Sequence, residues 1–235
     1  MRKLLVMMLL PMCLAGCAGM ENLDLGSVLG GQVPLDEATV ARGLKEALSV
    51  GTGRTVDQVG GLDGYLGNEL LKIVLPEEIQ DVAGKLRAVG LGYKVDELEV
   101  AMNRAAEQAA GEAVGVFGDA IRGMTLQDAW GILRGTDTAA TDYFRQRTGD
   151  ALTGRYRPIV ETKLRTVGGY GDYEDIVTKL ESIPFVDAPD LDLVGYVTDH
   201  ALDGLFSVLA VEEAKIRADP LKRTTDLLQR VFGAR

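Results

Sequence analysis

Two short patterns place a guanidinium and a carboxylate one helical turn apart. Asn103-Arg104-x-x-Glu107 sets Arg104 and Glu107 at i, i+3, and Thr141-Asp142-x-x-Arg145 does the same for Asp142 and Arg145. If the two faces meet, Asn103, Arg104, Glu107, Asp142 and Arg145 form one polar network inside a helical body. A buried carboxylate in such a network holds its proton more tightly and could do acid/base work. Buried ionic groups more often fix how helices register, and that is the expected role here. Glu212-Glu213, close to Lys215 and Arg217, reads as an exposed helix end with Glu213 and Arg217 paired at i, i+4. Its carboxylates lack the further oxygen ligands of a recognisable calcium loop.

Other chemistries fail on residue type or spacing. The four serines include no G-x-S-x-G elbow, and Ser207 sits inside the apolar run Leu205-Phe-Ser-Val-Leu-Ala210. His200 is the single histidine, so no site built on several imidazoles can form, and the reading is a solvated side chain on an acidic helix. Gly51-Thr-Gly-Arg-Thr55 lacks the lysine of a P-loop. Val167-Gly-Gly-Tyr-Gly171 follows a helical pattern where a phosphate cradle would open one. No cofactor or metal is expected.

The elements that must position these residues are helical throughout. Asp36 is a plausible N-cap, followed by Val40, Leu44 and Leu48 at i, i+4, i+8 and a stop near Gly51. Leu70-Leu-Lys-Ile-Val-Leu-Pro76 is the one strand-like stretch. Pro76, Glu77 and Glu78 then open a helix that Gly90 ends. The longest helix is expected from about Val95 to Arg122, with Leu98, Met102, Ala105, Ala109, Ala113, Val116 and Ala120 as its apolar stripe. Gly111, Gly115 and Gly118 gather on its other side, each at a cost of about 1 kcal/mol. A second helix backbone packed closely against that ridge is the expected reason, which makes this helix central and covered on both sides. Thr125 and Asp128 occupy capping-box positions. One or two helices follow with a kink near Pro158, then a short one at Tyr173–Ile183 and a long one with Val197, Ala201, Leu205 and Val208 inward. Asp219-Pro220 opens the last. The fold class is all-α, a multi-helix bundle of roughly eight or nine helices around a long central Ala/Gly-rich helix.

The two cysteines do not belong to that body. Arg2 and Lys3 precede an uncharged apolar run from Leu4 to Ala15, shorter than the roughly 20 residues a membrane span needs, so residues 1–16 read as a removable signal peptide. Leu14-Ala15-Gly16-Cys17 resembles the lipobox of bacterial lipoproteins. That resemblance implies a thioether-linked diacylglycerol on Cys17, cleavage just before it and acylation of the new amino terminus. Small neighbours suit a thiol that two enzymes must reach, and several acyl chains at about 0.8 kcal/mol per buried CH₂ anchor a protein stably. Ala18 follows the cysteine; lipoproteins sorted outward resemble one another in lacking aspartate there, which implies an outer-membrane anchor with the body in the periplasm. Residues 17–34, rich in glycine and small side chains, read as the lipidated N-terminus and a flexible tether. Residues 35–235 read as a single helical domain without a thiol.

The whole chain carries a net charge of −10. Removing Arg2 and Lys3 with the signal leaves 23 basic residues against 35 acidic, a net of −12. An acidic body lacks the basic footprint nucleic acid demands and cannot grip anionic lipid, so the membrane contact falls to the acyl chains on Cys17.

Within the body, the blocks Leu75-Pro-Glu-Glu78, Met102-Asn-Arg-Ala-Ala-Glu-Gln-Ala109, Asp128-Ala-Trp-Gly-Ile-Leu-Arg-Gly135 and Asp137-Thr-Ala-Ala-Thr-Asp-Tyr-Phe144 stand in order. They are followed by Tyr196-Val-Thr-Asp-His-Ala-Leu-Asp-Gly-Leu-Phe206 and Glu212–Gly233. Together they resemble the bacterial domain-of-unknown-function family 4197 from about Leu35 to Gly233. The resemblance implies an exported, mostly helical protein and carries over no catalytic residues. The function expected is a non-enzymatic binding or scaffolding module facing the periplasm, with an envelope protein as partner. A carrier or sensor of a small apolar ligand or lipid is the alternative, and a carboxylate-dependent hydrolase comes third.

Overall fold

The structure, a computed structural model, describes residues 36–166 and 192–218, with three isolated positions between them. The expected signal peptide, Cys17, Ala18, the tether and the helix expected after Asp219 lie outside the described residues, and of the helix expected at Tyr173–Ile183 only Asp175 and Thr178 are described, both helical. Among the described residues there are seven helices and no strand, against roughly eight or nine helices expected over the whole chain.

Helix α1 spans Glu37–Gly60, and the Asp36 carboxylate caps it by accepting from the Thr39 amide at 2.6 Å. The expected stop at Gly51 is overridden. Thr52 and Thr55 return their hydroxyls to the Leu48 and Gly51 carbonyls at 2.8 and 2.9 Å, and the helix passes over both glycines to Gly60. Val40, Leu44, Leu48, Val56 and Val59 are its buried face. Helix α2 (Glu77–Ala88) begins directly after Pro76, and Gly90, two residues past its end, takes the left-handed conformation (φ +84°) that suits a glycine there.

The long helix expected over Val95–Arg122 is divided into α3 (Gly92–Ala110) and α4 (Ala113–Gly123). At the join, Gly111 and Glu112 keep right-handed helical dihedrals. The Glu112 amide bonds the Ala109 carbonyl three residues back, at 3.0 Å, so the chain tightens for one turn. The glycine ridge does not face a helix. A Cβ on Gly115 would meet nothing within 4 Å, and one on Gly118 would meet only the Arg122 guanidinium. The central position belongs to α3 on its alanine side: Leu98, Met102, Ala105, Ala106, Ala109 and Ala110 are all buried. Small side chains on several sides of α3 let neighbours come close, which is the packing that the glycine ridge was expected to provide.

Helix α5 (Leu126–Arg134) starts with a complete capping box, Thr125 and Asp128 each bonding the other's backbone amide. Helix α6 (Ala139–Thr166) runs through Pro158 as one element. Helix α7 (Leu193–Ala218) has the expected inward row of Val197, Ala201, Leu205 and Val208. Helix α7 packs on α1, α3 and α6, and Phe117 of α4 meets Phe144, tilted, and Phe206, edge-on, in the core, with centroids 4.9 and 6.2 Å apart.

Candidate functional site: the loop between the first two helices

Between α1 and α2, Gly61–Pro76 carries no helix, yet it is tied to α3 and α7 by several hydrogen bonds. It consists of successive tight turns, with Gly64 N–H donating to the Gly61 carbonyl, Gly67 to Asp63, Asn68 to Tyr65 and Lys72 to Asn68. Gly64 must be glycine, because a Cβ there would collide with the Val59 carbonyl. Asp63 adopts a left-handed conformation (φ 64°), which aspartate tolerates better than most residues.

The expected network divides into two parts. Its α3 members come together around the loop. Glu107 is buried, and its Oε1 accepts the backbone amides of Tyr65 and Leu66, each at 3.2 Å. Arg104 donates to Glu107 Oε2 at 2.6 Å and to Asp63 at 2.7 Å. These carboxylates, Glu107 first, raise the proton affinity of an already strong guanidinium base. Asn103, also buried, behaves as a strand partner for one residue. Its Oδ1 accepts from Ile73 N–H at 2.9 Å and its Nδ2 donates to the Ile73 carbonyl at 2.8 Å. The stretch expected as a strand thus begins in turns at Leu70 and Leu71 and pairs, at Ile73, with a side chain.

Asp142 and Arg145 do not join them. Asp142 is exposed and accepts from the Thr138 hydroxyl, and Arg145 pairs with Asp203 at 2.8 Å while stacking over Phe206. Both lie on the turn of α6 that faces α7 and solvent, so one continuous network never forms.

Two anchors come from α7 and have no counterpart in the expected residue set. Tyr65 is fully buried and donates its phenol to the Ala201 carbonyl at 2.6 Å. Its ring lies where a side chain at position 204 would stand: a Cβ on Gly204 would come within 2.6 Å of Tyr65 Cε1. Burial pushes the Tyr65 phenol well above its ordinary proton affinity, and the Tyr156 phenol, buried nearby without a hydrogen-bond partner, is shifted the same way. Tyr196 adds the last tie, donating to the Val74 carbonyl at 3.0 Å. A glycine inside a helix, directly before the apolar pair Leu205-Phe206, was the one sequence sign of the Tyr65 slot.

The clamp leaves both charged and apolar side chains bare, among them Asp63, Glu69 and Lys72. Leu62 and Leu70, each within a turn of the loop, are 81 % and 93 % exposed. His200 stacks on Tyr196 with centroids 4.0 Å apart and stays exposed, as the sequence suggests.

The helix end at Glu212-Glu213 departs from expectation. Glu213 pairs with Arg217 as its spacing requires, but both side chains are 7 % exposed. Glu213 reaches across to α6, accepting the Ala140 and Thr141 amides and the Thr141 hydroxyl, all at 2.9 Å. A buried carboxylate is thus held by a helix N-terminus and a guanidinium. Beside it, Leu44, Leu48, Ile132, Leu209 and Ile216 line an apolar cavity of about 30 Å³. Among the described residues no three His, Cys, Asp or Glu side chains converge as metal ligands, and no helix is long and apolar enough to cross a membrane.

With this geometry in view, the comparison with known families is decisive for the body: the model of DUF4197, described as a protein of unknown function, matches residues 34–233. The chain belongs to this family. No curated protein and no solved structure matches it. In this DUF4197 protein the matched span takes in every anchor of the clamp, from Asp63 through Asn103, Arg104 and Glu107 to Tyr196 and Gly204.

Proposed function

We propose that this DUF4197 protein is an exported, lipid-anchored module that binds another protein of the cell envelope and performs no chemistry itself. The observation that carries the reading is how its buried carboxylate on α3 is used. Both oxygens of Glu107 are engaged, one by two backbone amides and the other by Arg104, so the carboxylate serves to position a loop. Glu213 is filled in the same way. The acidic body argues against nucleic acid as the partner.

The carrier alternative has less behind it. The apolar cavity beside Glu213, about 30 Å³, is far smaller than the roughly 300 Å³ or more of a ligand pocket. The membrane anchor is Cys17, and Ala18 after it favours the outer membrane, with the body in the periplasm.

Two experiments test the reading. Fractionation with metabolic fatty-acid labelling should show Cys17→Ala losing both label and membrane retention, and Ala18→Asp moving to the inner membrane. Label or retention persisting in Cys17→Ala would refute the anchor. Native purification from membranes, with mass spectrometry of what co-purifies, should return a stoichiometric protein. Recovery of a bound small lipid in place of a protein would favour the carrier.

A further inference from the structure

We draw no further inference here: the strongest candidate, the small apolar cavity that Leu44, Leu48, Ile132, Leu209 and Ile216 line beside Glu213 in the last turns of α7, carries nothing, because nothing among the described residues shows what covers or occupies it.

Discussion

Placing a methyl group at Gly204 gives a sign-reversing test of the Tyr65 slot. An interior helical glycine costs about 1 kcal/mol relative to alanine, so Gly204→Ala on an open face would stabilise the protein by about that much. In this structure the new Cβ would stand 2.6 Å from Tyr65 Cε1 and 3.3 Å from its hydroxyl oxygen. The ring cannot swing aside freely, because it is fully buried and its phenol is tied to the Ala201 carbonyl. Overpacking of this kind costs about 1–3 kcal/mol, so the net effect in the natural chain is a loss of up to about 2 kcal/mol. Tyr65→Ala by itself should cost about 3–5 kcal/mol, as for other large buried rings. With the ring gone, Gly204→Ala should become stabilising by about 1 kcal/mol. The difference between the two backgrounds is the coupling, about 1–3 kcal/mol, measured by urea unfolding followed by far-UV circular dichroism. If Gly204→Ala has the same effect with and without Tyr65, the ring does not occupy the slot at Gly204.

Three further outcomes follow from the same contacts. Gly115→Ala should stabilise by up to about 1 kcal/mol, because the new methyl meets nothing within 4 Å; marked destabilisation would restore a close helix contact there. Glu213→Ala should cost about 3–5 kcal/mol by stranding Arg217 and the α6 amides in a buried site, and a near-neutral effect by urea unfolding would contradict that geometry. Asp36, Asp128 and Asp192 are each held below the usual carboxylate range, first by backbone amides of Thr39, Thr125 and Gly195. Their contribution is present above the unfolded value of about 4 and lost as pH falls through the lower folded values. The urea midpoint should therefore drop on acidification, and Asp128→Asn should lessen the drop; no change would contradict the cap.

Much of this fold was legible in the residues because local signals agreed with the final packing. Asp36 and the Thr125–Asp128 box mark helix starts, Gly90 marks a stop, and the inward row of α7 follows the helical period. The misreadings arose where tertiary contacts decide. A glycine looks the same in sequence whether it faces a ring, as Gly204 does, or water, as Gly115 does. Periodicity also cannot show that α3 and α4 are separated by a single tightened turn, since Gly111 and Glu112 keep helical dihedrals. The Asn103-Arg104-x-x-Glu107 pattern did point to a buried network. Its partners are backbone groups of a loop far away in sequence, and backbone atoms carry no residue signature. For the same reason Glu213, bonded to the start of α6, reads in sequence as an ordinary i, i+4 surface pair.

The proposed binding function is tested most directly by the native mass of the protein recovered in mild detergent from the membranes of its cells. The account predicts a chain beginning at Cys17 and bearing acyl chains, in stoichiometric complex with one other protein. A chain of that mass alone, or one carrying only a small lipid within its body, would contradict it.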